Sequence, residues 1–232
     1  MAWISIVSTF VAVAALIVVQ SVMNGFNANI HKRLLAHESH LTLRSMGADK
    51  LDQIQNALRE LSGIDAPVRV VPYRKQDAIL RTVEGRYWGS ELKGIAPDAM
   101  ASLVEQSESN EGPAYYSGGK AEIAENEVVL GEGLARALKT YEGNYVFVLS
   151  PEMLLLPEGE VPRGQRFVVK GIFSLGSDNM DMRTVFYSAK KKHPQFESVK
   201  STEYGVDVWY SSVTNVLVLK ERLQKLLPDG QV

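Results

Sequence analysis

The stretch WISIVSTFVAVAALIVVQSVM, residues 3–23, decides how the rest of the chain is read. Its polar interruptions are Ser5, Ser8, Gln20 and Ser21, and no Asp, Glu, Lys, Arg or His occurs in the first thirty residues. A helix of this length rises roughly 30 Å, the thickness of a bilayer's hydrocarbon core. Small hydroxyls in such a helix bond back to their own backbone. Residues 1–26 are therefore expected to form a transmembrane helix, with a water-soluble domain on one side of the membrane.

Two other readings fit less well. A secretory signal peptide needs a basic start, a shorter apolar run and a small-residue cleavage site. Here no Lys or Arg precedes Lys32, and the run ends in QSVMNGF. A buried core helix rarely runs this long without a charge. Orientation is not fixed by charge: the N-terminal flank carries none, and Lys32 and Arg33 alone would favour the opposite side.

The chain has 232 residues, a formal charge of −2 and no cysteine. The length left after the span suffices for one domain or two small subdomains. A near-neutral balance argues against a nucleic-acid partner, which needs a basic face. Without cysteine there are no disulfides, zinc thiolates or Cys nucleophiles. Charged residues at 22% and aromatics at 8% are ordinary for a folded domain.

Beyond Asn24 and Gly25, FNANIHKRLLAH resumes a helical stripe through Phe26, Ile30 and Leu34, so the helix continues into water. HLTLR, residues 40–44, alternates as a short strand. Residues 49–61 form the clearest amphipathic helix, with Leu51, Ile54, Leu58 and Leu61 on one stripe. VRVVPY, residues 68–73, is the next strand, and strand–helix–strand suggests a split βαβ unit. AILRTV and YWGSELKGI read as a hairpin turning at Glu84-Gly85-Arg86. A short helix starts at Pro97-Asp98, and residues 106–120 read as a loop. EVVLGEGLARAL reads as strand then helix, and YVFVLS as a strand after Gly143-Asn144.

PEMLLLPEGEVPRGQ, residues 151–165, is the odd stretch of the soluble part. Apolar Met153, Leu154, Leu155 and Leu156 are followed by Pro157, Gly159 and Pro162. Prolines this dense do not sit inside a sheet. Both flanks, YVFVLS and RFVVKGIF, are strand-like. The expected geometry is a long hairpin, residues 148–173, whose tip leaves the sheet at Glu158-Gly159. An exposed apolar tip marks a binding surface; the alternative is a lid folded onto its own domain. Residues 174–183 read as a second loop, TVFYS as a strand, AKKKHPQF as a short basic helix and EYGVDVWYS as a strand. Residues 213–228 form a second amphipathic helix, with Val216, Leu219, Leu223 and Leu226 on its stripe.

Catalytic chemistry finds no constellation. His31, His37 and His40 lie near one helix end without an acidic partner at ligand spacing, so no metal site is expected. GEGLA, residues 131–135, lacks the further glycine and the Lys-Ser/Thr pair of a phosphate loop and reads as a tight strand–helix turn. No G-x-S-x-G elbow is present. Asp178, Asp181 and Glu197 have no spacing that pairs them. The run Lys190, Lys191 and Lys192 reads as a solvated face, with anionic lipid headgroups as the weaker option. No cofactor is expected.

Residues 13–43, including SVMNGF at 21–26 and the short H-x-T-L strand, closely resemble the first membrane helix and its exit in LolC/LolE-type lipoprotein-releasing permeases. Further matching blocks follow in the family's order: Pro72-Tyr73, LKGIAPD at 92–98, VVLGEGLARAL at 128–138 and VPRGQRFVVKGIF at 161–173. This resemblance implies an inner-membrane permease subunit related to macrolide exporters and FtsX-like proteins. Such a subunit would work with a second permease subunit, a separate cytoplasmic ATPase subunit and lipoprotein cargo, and would not itself be an enzyme. It implies that Met153, Leu154, Leu155, Leu156, Pro157, Glu158, Gly159, Val161 and Pro162 form a hook that captures the periplasmic lipoprotein chaperone LolA. Gln165 and Arg166 would be a polar pad at the hook base. Met23 and Phe26 would help line the cavity for lipoprotein acyl chains and membrane lipid. The tip departs from the family in its extra Leu and in Glu158 and Glu160. LolE-type subunits lack an effective hook, so the LolC or hybrid form is favoured.

The expected fold is α+β: one transmembrane helix, then a periplasmic domain of split βαβ, ferredoxin-like half-units bracketing a β-rich insertion with a protruding hairpin. The divisions are 1–26 for the helix, 27–73 for the first half, 74–202 for the insertion and 203–232 for the start of the second half. That second half stops where its closing strand would begin, so the sequence reads as an N-terminal fragment lacking further membrane helices. Two competing functions remain: a mechanotransmission permease of the macrolide-exporter or FtsX-like type, docking a different periplasmic partner, and, more weakly, a periplasmic hydrolase.

Overall fold

The computed structural model describes residues 2–37, 39, 41–45, 54, 56–58, 69–100, 103, 115–119, 122–155, 164–190, 193, 202–210 and 216–226. The first element, α1 (Ala2–His37), is one uninterrupted helix of 36 residues. Its stretch Trp3–Phe26 is long and apolar enough to cross a membrane, and none of it is buried against the rest of the chain. Ser8 and Thr9 bond back to the carbonyls of Ile4 and Ser5, so their hydroxyls are satisfied without water.

Nine strands follow: β1 (Leu41–Ser45), β2 (Arg69–Thr82), β3 (Tyr87–Ile95), β4 (Tyr115–Tyr116), β5 (Glu127–Gly131), β6 (Tyr145–Leu149), β7 (Gln165–Ser174), β8 (Thr184–Ser188) and β9 (Glu203–Trp209). Among the described residues, the further helices with full bounds are α2 (Glu132–Leu138), α3 (Asp178–Arg183) and α4 (Val216–Leu226). The strands run in the order β1-β9-β2-β3-β8-β5-β7-β4. β9 lies between β1 and β2 and is antiparallel to both.

β6 pairs with both β2 and β7. This closes β2-β3-β8-β5-β7-β6 on itself into a six-stranded ring. Closure removes strand edges that would otherwise be open to foreign pairing. Alternation along each strand sorts the side chains. Leu80, Leu92, Val146, Val148, Phe167 and Val185 point into the ring, where Leu134 and Leu138 of α2 join them.

A second cluster covers the outside of the ring, with Val129, Phe173, Phe186, Ile95 and Met100 packed together. A third joins the β1/β9 face to helical residues: Leu41, Leu43, Val206 and Val208 meet Ile54, Leu58, Leu219 and Leu223. Each of these side chains is at most 5% exposed, and burial of one Leu or Val contributes about 1.5–3 kcal/mol. The expected stripe of the second amphipathic helix is therefore core at Leu219 and Leu223. Of the helix expected over 49–61, residues 54 and 56–58 are helical and the others lie outside the described residues.

Four local expectations are corrected. The strands expected at 68–73 and 78–83 are one strand, β2, of 14 residues. The expected loop 174–183 contains α3, whose Asp181 accepts hydrogen bonds from Ser174 Oγ at 2.8 Å and the Leu175 N–H at 2.9 Å. Asp181 is thereby a structural acceptor. Tyr115 and Tyr116, expected in a loop, pair with Ser174 and Phe173 of β7. Ala189 and Lys190 form a turn where a basic helix was expected to start.

Candidate functional site

The base of the expected hairpin is an antiparallel pair. β6 and β7 match Tyr145 to Val168, Val146 to Phe167, Phe147 to Arg166 and Val148 to Gln165. The ladder stops there on the side of the odd stretch. Residues Pro151–Leu155 then form a 3-10 turn, opened by a bond from the Met153 N–H to the Ser150 carbonyl at 3.0 Å. Met153 is half-buried, while Pro151 and Glu152 are exposed. Leu154 and Leu155 belong to the turn by their backbone. Leu156, Pro157, Glu158, Gly159, Val161 and Pro162 lie outside the described residues. Gly164 re-enters the described chain against Leu149 and Phe147, where an added Cβ would sit 3.1 Å from each.

Gln165 is half-buried and Arg166 exposed. Because Val146 and Val148 face into the ring, Tyr145 and Phe147 must face out. The Arg166 guanidinium lies 4.9 Å from the Tyr145 ring centre, and that of Arg81 lies 4.9 Å from the Phe147 ring centre. Arg81 stands opposite Tyr87 on one side and Phe147 on the other, and Phe147 stands opposite Arg166. A lateral row Tyr87–Arg81–Phe147–Arg166 thus crosses four strands on the outer surface. Cation–π pairs at exposed sites are worth about 0.5–1 kcal/mol each, enough to orient the exposed Arg166 guanidinium, while that of Arg81 is half-buried. The sequence reading found Arg166 and missed the other three. The signal was available in YVFVL, whose alternation sends both aromatics to one face.

Met23 and Phe26 are 54% and 61% exposed on α1, with none of the apolar stretch buried among the described residues. The backbones of His31 and His37 lie in α1, and His40 lies outside the described residues. Among the described residues no group of His, Asp and Glu is arranged to hold a metal ion. At GEGLA, Gly131 ends β5 where a Cβ would lie 2.3 Å from the Asp181 carbonyl oxygen. The glycine is needed for strand-to-helix packing, which accounts for it without phosphate.

A second polar cluster lies on the face of β1, β9, β2 and β3 opposite to Leu43 and Val206. Asp207 accepts hydrogen bonds from Ser39 Oγ at 3.1 Å and Thr42 Oγ1 at 3.0 Å, and its other oxygen pairs with Lys93 Nζ at 2.5 Å. Lys93 also lies 4.5 Å from the Tyr73 ring centre. The Tyr73 hydroxyl donates to Glu203 at 2.9 Å. Burial, then the nearby Asp207 and Glu203 charges, push this phenol well above its ordinary range. Ser39 stands two residues past the end of α1, so this cluster ties the helix exit to the sheet.

These features define a class: a mixed α/β domain built directly onto an apolar helix of membrane-spanning length. The chain belongs to the MacB-like periplasmic core domain family, which it matches over residues 2–226. It is 34% identical over 181 residues to the lipoprotein-releasing system transmembrane protein LolC of Neisseria meningitidis, covering 77% of this chain and 42% of that protein. Against LolC of Xylella fastidiosa the identity is 29% over 180 residues, covering 76% and 41%. The chain thus spans about two fifths of the length of these curated relatives. Among solved structures, the periplasmic region of MacB from Actinobacillus actinomycetemcomitans is similar at a TM-score of 0.45 and 15% identity, covering 82% of this chain and 86% of that one. The extracellular domain of the ABC-type transporter YknZ from Gram-positive bacteria gives 0.46 and 16%, covering 75% and 82%.

Proposed function

We propose that this chain is the first membrane helix and periplasmic domain of a permease subunit in an ABC-type lipoprotein-releasing complex of the bacterial inner membrane. The observation that carries the reading is the similarity to LolC proteins over three quarters of the chain. Its periplasmic domain docks a LolA-like chaperone through an apolar hook, residues 153–162, held on the β6–β7 base with Gln165 and Arg166 beside it. ATP hydrolysis belongs to a separate cytoplasmic subunit, and a second permease subunit completes the membrane part. Met23 and Phe26 contact lipid and lipoprotein acyl chains. The domain consists of two half-units, 27–73 and 203–232, around the insertion 74–202.

An apolar hook suits a carrier whose own cavity is apolar. Burying two or three Leu side chains yields about 4–6 kcal/mol before the costs of association, which gives a weak and repeatable encounter. Strand addition along the hook would supply backbone hydrogen bonds.

The family match favours a second reading, a mechanotransmission permease of the macrolide-exporter or FtsX-like type that docks another periplasmic partner. A photo-crosslinking residue at Leu155, in membranes exposed to periplasmic extract, separates the two. Capture of a small lipoprotein carrier is expected, and Leu155→Asp abolishes it while leaving thermal unfolding nearly unchanged. Absence of that carrier from adducts at every hook position refutes the docking reading. A large fall in melting temperature for Leu155→Asp shows instead that the tip is core.

A further inference from the structure

We propose that the cavity between the polar cluster and α3 is a binding site for a small anionic amphiphile, a phosphate or carboxylate on a short apolar body. The cavity measures about 280 Å³. That lies near the lower end of the roughly 300–1,000 Å³ typical of ligand pockets, so its occupant is small. Its floor is apolar and rigid: Val71, Ile95, Phe186 and Trp209 are side chains of four different strands, each at most 5% exposed. Leu175 and Met180, from the turn before α3 and from α3 itself, form the facing wall.

The charges lining the cavity are unequal. Among the described lining residues, Arg44, Lys75, Lys93 and Arg183 face two carboxylates, Glu91 and Asp207. Lys93 is held by Asp207 at 2.5 Å and Lys75 by Glu91 at 2.7 Å, while Arg44 lies 3.7 Å from Glu203 just outside. Arg183 makes no ion pair among the described residues. Asp77 shares the adjoining groove with it without pairing. Asn179, one turn earlier in α3, offers an amide at the same mouth. An anion at Arg183 would meet a surplus cation and an amide donor, and its apolar body would reach the Phe186 and Trp209 rings. A cationic ligand would have to displace Lys75 or Lys93 from a carboxylate already engaged. A neutral one would gain no charge attraction from Arg183, which is exposed at the mouth. The site stands apart from the β6–β7 base and does not depend on the docking reading.

The test uses the full chain in phosphatidylcholine nanodiscs, titrated with 1-naphthyl phosphate by calorimetry against empty nanodiscs. Saturable binding with Kd at or below about 1 mM is expected. Arg183→Glu weakens it by about tenfold or more, Arg183→Lys retains it, and Met180→Trp, which fills the cavity, removes it. The unmodified chain is compared with 1-naphthylmethylammonium, so the charge preference is read without relying on a variant. No saturable heat, equal affinity for the ammonium compound, or undiminished binding in a folded Arg183→Glu chain each overturns the proposal.

Discussion

Replacing Asp207 by Asn strands the Lys93 ammonium in a half-closed site. The Lys93 side chain keeps 18% of its exposure and Asp207 8%. Removing one partner of a fully buried ion pair costs about 3–5 kcal/mol, because the other charge is left without compensation. Two features moderate that here. Water reaches the remaining exposed part of Lys93, and the Tyr73 ring at 4.5 Å still faces the cation. The Asn side-chain oxygen can also keep accepting from Ser39 and Thr42. The expected loss is therefore about 2–3 kcal/mol. In a domain of this size each kcal/mol moves the midpoint by about 2–4 °C, giving a fall of about 4–12 °C. The assay is thermal and denaturant unfolding of the nanodisc-held chain, followed by tertiary-structure signals of the domain. Lys93→Met in the Asp207→Asn background removes the stranded charge and should recover most of the loss. The reasoning is refuted if Asp207→Asn stays within about 0.5 kcal/mol of the unaltered chain, or if the double variant is as unstable as the two single changes summed.

Gly131→Val places a side chain against the Asp181 backbone at the β5–α2 turn, and urea unfolding should show a loss of about 2 kcal/mol or more. Leu223→Ala opens a hole in the cluster behind β1 and β9, for an expected loss of about 2–5 kcal/mol by the same measurement. Burial alone would raise the Glu127 pKa, but the Ala124 N–H at 2.9 Å and Lys170 at 3.0 Å outweigh it and hold the carboxyl below its ordinary 4.5. A lowered folded-state pKa means the stabilisation is fully present above the unfolded value and is lost as pH falls through the folded one. Urea midpoints should thus fall below about pH 4.5 with a shallower slope in Glu127→Gln, and identical slopes would contradict this. Tyr116 has a buried hydroxyl with no hydrogen-bond partner among the described residues, and burial, then Glu127 and Glu142, push its pKa up to about 12. Tyr116→Phe should be neutral or stabilising by up to about 1 kcal/mol in the unfolding assay, and a clear loss would reveal a partner for the hydroxyl.

The parts of the fold legible in the sequence are those written in local composition. The apolar run of α1 has no charge to misplace, and the alternation in YVFVL and RFVVKGIF fixes which residues face the core. The 14-residue strand β2 was read as two because Pro72 and the polar run 73–77 look like a break. In the fold, Pro72 stands opposite Val206, and Tyr73, Arg74, Lys75 and Gln76 are taken up by β9, β3 and their neighbours. The partners of Tyr73, Arg74 and Gln76 among these, Glu203, Tyr187 and Thr202, lie more than a hundred positions away, beyond any local window. α3 has six residues, too few for a periodic signal. Of the candidate site, Gln165 and Arg166 come from the family resemblance and not from any pattern of their own in the sequence. Arg81 and Tyr87 were not, since only the closure of the ring by β6 brings them alongside. The cavity below α3 draws on strands scattered from Val71 to Trp209 and left no pattern along the chain.

β2 borders β9 through residues 69–75 and β6 through residues 79–82. A strand of 14 residues measures about 45 Å and is clamped by ladder bonds along its length. Its first half is bonded to β9, whose other neighbour is β1, the first strand past α1, and its second half is bonded to β6. One unbroken length of backbone therefore belongs to both the strand group next to α1 and the ring that carries the β6–β7 pair, and a load on either would be shared by the other.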